Sequence, residues 1–339
     1  MTGGRTRTGR PTRTGNAESA GAAAAVRVSA PATIGNIACG FDVFGMAVEQ
    51  PCDAVVARAA PEPGVNIERI TGDVGPIPGD PARNSAGAAA RAVLEMAGAD
   101  SAGLALELHK GIPLAGGMGG SASSAVVGAV AADQVIRAGL SRRQLLRCAV
   151  AGELAGSGSP AADNVAPALY GGIVLVLPGK TLQVVELPVP DELWVVVVRP
   201  HLETRTEDAR RVLGEHVPLK AAVTQWANTA AFTAGLYACD WDLISRSIRD
   251  VVAEPLRAGR IPGFARAREA AMTRGALGFS ISGSGPSVFA LCRGRETAED
   301  VAAGIRWAFG ETAALDCEAY VSPVNRDGVR VEDVKAEED

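Results

Sequence analysis

The sequence predicts an α+β fold made of two domains. Its 339 residues are enough for two domains or for one large one. Stretches typical of strands and of helices are mixed along the chain, but their spacing lacks the regular strand–helix–strand rhythm of a parallel sheet. Residues 180–191 have a low propensity for either element and lie between two predicted strands, so we expect the domain boundary there.

The composition indicates a core of small and aliphatic side chains and excludes several classes of partner. Hydrophobic residues make up 47% of the chain and aromatic residues only 4%. A net charge of −5 argues against nucleic acid as a partner, and no apolar run has the length of a membrane span. The six cysteines form no Cys-x-x-Cys pair and the three histidines lie far apart. This pattern favours a cytoplasmic protein without disulfides or a histidine metal site.

The first half of the chain alternates between strand and helix patterns after a low-complexity start. Residues 1–25 are rich in Thr, Gly, Ala and Arg, and we expect them to form a disordered tail. Asn84 opens a predicted helix that closes near Gly98, and Ser141 caps another. The strands predicted here are residues 26–28, 53–59, 65–71, 104–108 and 173–177, and the helices are residues 84–97, 125–132 and 141–154.

The second half again mixes both kinds of element. Two short apolar strands flank a turn that contains Gly283, and the acidic residues 326–339 are expected to form a frayed tail. The strands predicted in this half are residues 193–198, 278–282, 287–291 and 314–321, and the helices are residues 207–213, 219–239, 241–252, 264–274 and 297–309.

The most informative stretch is residues 111–124, a glycine-rich loop that leads into a helix of small residues. Such a loop exposes backbone N–H groups and the positive end of the helix dipole, which together suit a phosphate group. Ser121 and Ser123 could cap the helix or offer a hydroxyl to a phosphate-bound metal ion. The loop lacks the Gly-Lys-Ser/Thr ending of a Walker A motif, and Pro113 interrupts any dinucleotide fingerprint. A tight connection without a ligand remains the alternative for this stretch taken alone.

Together with two further motifs, the loop resembles the GHMP kinase superfamily and, within it, the homoserine kinases. The motifs are Asn-Ile-Ala-Cys-Gly-Phe-Asp at residues 36–42, Asp-Asn-Val-Ala-Pro-Ala at residues 163–168 and Ile-Ser-Gly-Ser-Gly-Pro at residues 281–286. The resemblance extends from about residue 26 to residue 321. It implies a ribosomal-S5-like, ATP-binding N-terminal domain at residues 26–180 and a ferredoxin-like C-terminal domain at residues 185–325.

The resemblance implies that ATP and Mg²⁺ are the cofactors. Ser121 and Glu153 would hold the metal ion, since a hydroxyl, a carboxylate and phosphate oxygens form a suitable octahedral set for Mg²⁺. Lys110 would reach the phosphates as a point charge, and Asn84 would lie near the adenine or the ribose. The ATP-binding residues implied are Asn84, Lys110, Pro113, Leu114, Ala115, Gly116, Gly117, Met118, Gly119, Gly120, Ser121, Ala122 and Ser123.

The implied substrate is L-homoserine, a small zwitterion with a terminal hydroxyl. Its ammonium requires a carboxylate, and its carboxylate requires the paired donors of a guanidinium. Asn36 and Asn164 would hold the hydroxyl and the γ-phosphate in line, and positioning lets the reaction proceed without a strong base. The substrate-binding residues implied are Asn36, Asp42, Asp163, Thr206, Arg210, Arg257 and Gly283, and the residues assigned to catalysis are Asn164 and Arg210.

One departure from the family pattern keeps other functions open. Ala161 stands where the family commonly has the histidine of a His-x-Asp-Asn pattern. A kinase of the same family that acts on another small alcohol is therefore an alternative. A nucleotide-binding protein without catalysis is another, although Ser121 and Glu153 argue against it, and a dinucleotide-dependent dehydrogenase is the weakest. The tendency of the family points to a homodimer.

Overall fold

The computed structural model describes residues 25–72, 75–179, 182–202, 212–214 and 216–333. The strands of this part of the chain form a seven-stranded sheet and a four-stranded sheet. They are β1 Val26–Gly35, β2 Phe44–Ala60, β3 Gly64–Gly72, β4 Gly103–Lys110, β5 Ile173–Leu177, β6 Gln183–Leu187, β7 Leu193–Pro200, β8 Gly278–Ile281, β9 Val288–Arg293, β10 Cys317–Pro323 and β11 Arg330–Asp333.

Helices pack against both sheets. They are α1 Ser85–Ala97, α2 Gly120–Ile136, α3 Arg142–Ser157, α4 Ala162–Tyr170, α5 Leu219–Ala238, α6 Trp241–Ser247, α7 Glu254–Arg257, α8 Phe264–Thr273 and α9 Arg295–Ala313, with a short 3₁₀ turn at Ala258–Arg260. No helix of the described ranges is both long enough and apolar enough to cross a membrane.

Strand directions in the larger sheet bring two loops to the same end. The strand order is β11-β1-β2-β4-β3, and β5 pairs with β2 and with β6. Strand β2 is antiparallel to both β1 and β4, so β1 and β4 run in the same direction. The loop at residues 36–43 follows β1, and the glycine-rich loop at residues 111–119 follows β4. Both loops therefore leave the sheet at one end and can line a common site.

Helix α2 is buried on nearly all sides because small residues let its neighbours approach closely. It is apolar around its whole circumference and lies between the sheet and helices α1 and α3. A Cβ at Gly128 would meet the carbonyl oxygen of Ala86 in α1, and a Cβ at Gly152 in α3 would lie 2.5 Å from the Cβ of Ala89. The Ala and Gly content noted in the sequence thus allows α2 to run through the centre of the N-terminal core.

The two sheets share part of their cores. The four-stranded antiparallel sheet has the order β10-β7-β9-β8, and helices α8 and α9 pack on one of its faces. A second cluster joins β7 and β9 to Ile37, to Phe44 of β2 and to Phe232 of α5. The rings of Phe44 and Phe232 have centroids 5.5 Å apart. This shared core holds the β8–β9 turn against the glycine-rich loop.

Strands β6 and β11 lie near the predicted limits of the two domains, which stay a prediction. Strand β6 pairs with β5, so the N-terminal sheet extends past residue 180, and residues 185–187 belong to it. Within the predicted tail at residues 326–339, strand β11 pairs antiparallel with β1, because the unpaired N–H and C=O groups at the edge of β1 require a partner. Residues 1–24 and 334–339, and most of the predicted helix at residues 207–213, lie outside the described residues.

Candidate active site

A cavity of about 330 Å³ lies where the two loops leave the larger sheet. It brings together most of the residues selected from the sequence. Those that line it are Asn36, Asp42, Asn84, Lys110, Pro113, Leu114, Ala115, Gly116, Gly117, Met118, Gly119, Gly120, Ser121, Glu153, Asp163, Asn164, Arg257 and Gly283. Thr206 and Arg210 lie outside the described residues.

Two of the selected residues do not line the cavity. Ala122 is buried on the core side of α2. Ser123 is also buried, and its hydroxyl contacts the carbonyl oxygens of Pro31, at 2.6 Å, and of Gly119, at 3.1 Å. Both side chains therefore face the core, where α2 packs against neighbouring elements of the N-terminal core. The expected contact of these two residues with ATP stays a prediction.

The glycine-rich loop presents an uncapped helix N-terminus to the cavity. Gly119, the N-cap residue of α2, has a φ of 67°, and no side chain accepts a hydrogen bond from the first turn. A Cβ at Gly119 would collide with the hydroxyl of Thr33 in β1, and one at Gly117 would lie 2.5 Å from the carbonyl oxygen of Ser282. Both glycines are thus required for packing against protein neighbours. The unsatisfied N–H groups of the first turn remain available to an anion.

Lys110 lies under the loop in a buried network. Its ammonium pairs with the carboxylate of Asp53 and donates to the hydroxyl of Ser124, at 2.7 Å, and to the carbonyl oxygen of Gly120, at 3.0 Å. The other oxygen of Asp53 accepts two backbone N–H groups at the start of the loop. All three ammonium donors are therefore used within the protein, and the expected contact of Lys110 with phosphate stays a prediction.

Glu153 and Ser121 provide a site that fits a hard cation. Glu153 is 5% exposed, and its Oε2 atom is buried without a hydrogen-bond partner. Burial raises the pKa of Glu153, while hydrogen bonds from Ser121 and Ser157 and the charge of Lys110 oppose that rise. A buried carboxylate oxygen without a partner is costly unless a cation neutralises it. Carboxylate and hydroxyl oxygens are ligands that Mg²⁺ accepts, with phosphate oxygens and water completing its shell.

The site contains few other candidate metal ligands. Across the described part of the chain, no three His, Cys, Asp or Glu side chains come together as a metal-binding group. A metal ion here would thus depend on the bound phosphates for much of its coordination, which is usual for Mg²⁺ in phosphate-transferring enzymes.

Asn84 also lines the cavity. Its Oδ1 atom accepts from the N–H groups of Ala86, at 3.0 Å, and Gly87, at 3.3 Å, and its Nδ2 atom donates to the carbonyl oxygen of Pro78, at 2.9 Å. Asn84 therefore caps α1 and holds the preceding turn. That turn adds an apolar wall that the sequence reasoning missed, although the proline-rich run at residues 76–81 was a visible signal. Its lining residues are Pro76, Ile77 and Pro78.

The first turn of α4 brings two further lining residues, Asp163 and Asn164, close to β1. Asp163 is buried, and its burial, followed by the negative charge of Asp42, raises its pKa to about 7. The Oδ1 atom of Asn164 accepts from the hydroxyl of Thr33, at 2.9 Å. A Cβ at Gly35 would collide with Asp163 Oδ2, so the glycine allows this close approach.

Gly283 joins the remaining polar side chains. Its carbonyl oxygen accepts from Asn36 Nδ2, at 2.9 Å, and from the guanidinium of Arg257, at 3.0 Å. Asn36 Oδ1 in turn accepts from the backbone N–H of Asp42, at 2.9 Å. Arg257 is buried and lies over the ring of Phe41, 5.5 Å from its centroid. The lining of the cavity therefore combines carboxylates and a guanidinium with the N-terminus of α2.

The chain is similar to known proteins over most of its length. Residues 84–172 match the GHMP kinases N terminal domain, and residues 233–309 match the GHMP kinases C terminal family. The homoserine kinase of Chlorobium phaeobacteroides (strain DSM 266) is 44% identical over 317 residues, which are 90% of this chain and 99% of that protein. This chain belongs to the homoserine kinase family.

Other members of the homoserine kinase family match to a similar extent. The homoserine kinase of Xylella fastidiosa (strain M12) is 41% identical over 90% of this chain and 93% of its own. The crystal structure of homoserine kinase from Cytophaga hutchinsonii has a TM-score of 0.88 and 43% identity, and the match covers 91% of this chain and 97% of that chain. The mevalonate kinase of L. major, crystallised with R-mevalonate, is 16% identical with a TM-score of 0.64 over 87% of this chain and 95% of its own, and it shares the fold alone.

Membership in the homoserine kinase family confirms the predicted α+β fold with GHMP kinase N-terminal and C-terminal domains, and it implies the use of ATP. The roles of individual site residues stay predictions. Ala161, which departs from the family pattern, lines the cavity itself, next to the turn that carries Asp163 and Asn164.

Proposed function

We propose that this protein transfers the γ-phosphate of ATP to the hydroxyl of L-homoserine, which yields O-phospho-L-homoserine for threonine biosynthesis. The observation that carries this proposal is one cavity that combines two kinds of complementary chemistry. It is lined by an uncapped helix N-terminus and by Glu153, which has a buried, unpartnered oxygen. The same cavity is lined by Asp163, Asp42 and Arg257, which are suited to a zwitterion.

The phosphates of ATP bind along the glycine-rich loop. The backbone N–H groups at the start of α2 receive phosphate oxygens, and the helix dipole favours their negative charge. Glu153 and Ser121 would hold Mg²⁺, and the bound ion would neutralise charge on the phosphate oxygens. The apolar wall formed by Ile77 and Pro78 provides a surface for the adenine.

L-Homoserine binds between α4 and Arg257. Asp163 and Asp42 receive its ammonium, and the guanidinium of Arg257 receives its carboxylate. The resemblance implies that Arg210 and Thr206 also bind the amino acid. With both ends of the amino acid held, its hydroxyl is directed toward the γ-phosphate.

Catalysis rests on position and charge. Asn164 and Asn36 keep the hydroxyl in line with the γ-phosphate, and holding the reactants in this geometry removes much of the entropic barrier. Charge is spread over the oxygens of the transferred group, so the hydroxyl proton can leave late to a phosphate oxygen. Arg210 neutralises part of the charge that develops.

The proposal is tested by measuring ADP release with ATP, Mg²⁺ and increasing L-homoserine. We expect release to rise and saturate with L-homoserine and the product to be O-phospho-L-homoserine.

Replacing the metal-binding carboxylate in Glu153→Gln should lower kcat by about a hundredfold or more, since bound metal contributes several kcal/mol to transition-state stabilisation. Glu95→Gln, at an exposed position of the neighbouring helix α1, is the matched control and should keep full activity.

The same assay separates the alternatives. ADP release that rises with another hydroxy-amino acid, a prenyl alcohol or a sugar alcohol, but not with L-homoserine, would support a different substrate chosen through the space beside Ala161. ATP binding without phosphorylation of any of these alcohols would support a protein without catalysis. Either result contradicts the proposed activity.

We further propose a homodimer in the cytoplasm. All six cysteines are unpaired thiols, as expected in a reducing compartment. Helix α5 exposes large apolar side chains that a second copy could cover. These are Leu219, Val223, Trp226 and Tyr237.

A further inference from the structure

The middle of helix α5 carries a buried amide that contacts two segments of the candidate site. Gln225 is 8% exposed and does not line the cavity. Its Nε2 atom donates to the carbonyl oxygens of Cys39, at 3.0 Å, and Ala38, at 3.4 Å. The same atom contacts Asp250 Oδ1, at 3.3 Å, and Gln225 Oε1 accepts from the N–H of Val251, at 3.0 Å. One side chain therefore joins residues 38–39 to residues 250–251.

The first of these segments has a backbone that needs outside support. Asn36, Ile37 and Ala38 have φ values of 72°, 40° and 55°, so three consecutive residues adopt the left-handed conformation that side chains disfavour. Such a turn persists only where surrounding contacts hold it. Besides Gln225, the hydroxyl of Thr229 donates to the carbonyl oxygen of Cys39, at 2.7 Å. Helix α5 thus holds the loop that carries Asn36 and Asp42.

The second segment leads to Arg257. Asp250 accepts from the backbone N–H groups of Val252, at 2.8 Å, Ala253, at 3.0 Å, and Glu254, at 2.9 Å, and so begins helix α7. Arg257 lies at the end of that four-residue helix. Its guanidinium contacts Gly283 and the ring of Phe41, as described above. The position of Arg257 therefore depends on Asp250, and Asp250 is in contact with Gln225.

We propose that Gln225 is a positioning residue for the amino-acid substrate. It fixes the distance between the carboxylate of Asp42 and the guanidinium of Arg257, which receive opposite ends of the zwitterion. This inference rests on the proposed function. Loss of the amide removes a donor from the Ala38 carbonyl oxygen and an acceptor from the N–H of Val251, and it leaves the Cys39 carbonyl oxygen with Thr229 alone, which is unfavourable for buried groups. The loop and α7 then move independently, and the two ends of the substrate are no longer held at one spacing.

The kinetic test uses three variants of helix α5. Gln225→Leu, an apolar side chain of similar size, should raise the KM for L-homoserine about tenfold or more, as expected for the loss of a buried hydrogen-bonding group. The KM for ATP should change less than about twofold, because the phosphate loop is not in contact with Gln225. Thr229→Val removes one hydrogen bond to the same loop and should shift the homoserine KM in the same direction by a smaller factor. Thr233→Val removes a bond within the helix, to the carbonyl oxygen of Thr229, and should change neither KM.

A second measurement is independent of activity. Hydrogen exchange followed by mass spectrometry should show faster exchange in Gln225→Leu for peptides covering residues 36–42 and residues 250–257, with residues 113–121 unchanged. Equal increases in both KM values, unaltered exchange in either segment, or faster exchange throughout the protein would overturn the positioning role. If Gln225→Leu fails to fold, the KM values and the hydrogen exchange are measured on Thr229→Val and judged by the same criteria.

The two proposals can fail separately. If the wild-type protein does not phosphorylate L-homoserine, the proposed function fails, and the exchange data alone decide whether Gln225 couples the two segments. If the wild-type protein does phosphorylate L-homoserine and the homoserine KM is unchanged in Gln225→Leu, only the positioning role fails.

Discussion

At the residue scale, two buried acids in one cavity have different partners and so suit different tasks. Burial raises the pKa of both Glu153 and Asp163. Glu153 has the charge of Lys110 and two hydroxyls nearby, which favour its ionised form as a cation ligand. Asp163 instead has the like charge of Asp42 beside it, and its pKa rises to about 7. The ammonium group of a bound substrate would relieve the repulsion between Asp163 and Asp42. Asp163 is therefore suited to bind an amine.

The raised pKa of Asp163 predicts a pH-dependent cost in stability. Because its pKa is about 7 in the folded protein and 3.8 as the ordinary value of the side chain, the folded state keeps a proton that the unfolded state releases between about pH 4 and pH 7. The free energy of unfolding therefore falls as pH rises through that window and stays low above it. Asp163→Asn removes the titrating group, and at pH 8 it should stabilise the protein by up to about 4 kcal/mol.

Urea unfolding at pH 5 and pH 8 measures this effect. The gain in Asp163→Asn should be present at pH 8 and smaller at pH 5, and the variant should bind L-homoserine poorly. Asp100→Asn, at an exposed position, is the control and should show no such difference between the two pH values. Equal or lower stability of Asp163→Asn at pH 8 would contradict the assigned environment.

Site residues within short motifs can be predicted from the sequence, whereas those that act across the chain cannot. Asn36 and Asp163 stand in motifs whose order along the chain is informative, and the resemblance to the family implies Glu153. Gln225 was missed because its partners at Cys39 and Asp250 are 186 and 25 residues away, and nothing around it in the sequence signals them. The buried pairing of Lys110 with Asp53 across the sheet was missed for the same reason.

At the element scale, the glycine-rich loop depends on backbone conformation as well as on space. Gly119 has a φ of 67°, and a Cβ there would collide with Thr33 and lie 3.1 Å from Asn164 Oδ1. Gly139, in the connection between α2 and α3, has the same φ of 67°, but a Cβ there would have no neighbouring atom within 4 Å. Comparing substitutions at Gly119 and Gly139 therefore distinguishes the cost of a strained backbone from the cost of crowding at the site.

We predict that alanine substitution affects these glycines unequally. Gly139→Ala should cost only about 1 kcal/mol of stability, from the left-handed backbone alone, and leave the KM for ATP unchanged. Gly119→Ala should cost more and raise the KM for ATP at least about tenfold, because the methyl group displaces either β1 or the start of α2. Thermal unfolding and steady-state kinetics on both variants measure this. If Gly119→Ala and Gly139→Ala lose the same stability and have the same KM for ATP, crowding at Gly119 has no role.

Helices and strands with a clear hydrophobic period or cap can be predicted from the sequence. Elements that form only by pairing with a distant segment cannot. Caps and periodicity predict helices α1, α3 and α5. Strands β6 and β11 are short, and they form because β5 and β1 offer open edges. The helix predicted at residues 241–252 ends at Ser247, and a separate short helix α7 follows. The side chain of Asp250 accounts for this break, since it accepts the N–H groups at the start of α7.

At the scale of the whole molecule, the site exists because the two sheets share a core. The β8–β9 turn contacts the glycine-rich loop through the hydroxyl of Ser282, which donates to the carbonyl oxygen of Gly117, at 2.7 Å. The N–H of Ser287 adds a bond to the carbonyl oxygen of Gly116, at 3.3 Å. One turn of the C-terminal unit therefore contacts the proposed phosphate site and, through Gly283, the proposed substrate site. We expect relative movement of the two units to alter both sites together.

The central claim is that one cavity holds an amino acid and the phosphates of ATP in line. The most direct test is a crystal structure of the protein with L-homoserine and a non-hydrolysable ATP analogue. The account predicts phosphates at the N-terminus of α2, the ammonium of homoserine at Asp163 and Asp42, and its carboxylate at Arg257, with the hydroxyl facing the γ-phosphate. Phosphates bound away from that helix, or an Arg257 guanidinium that points out of the cavity, would contradict it.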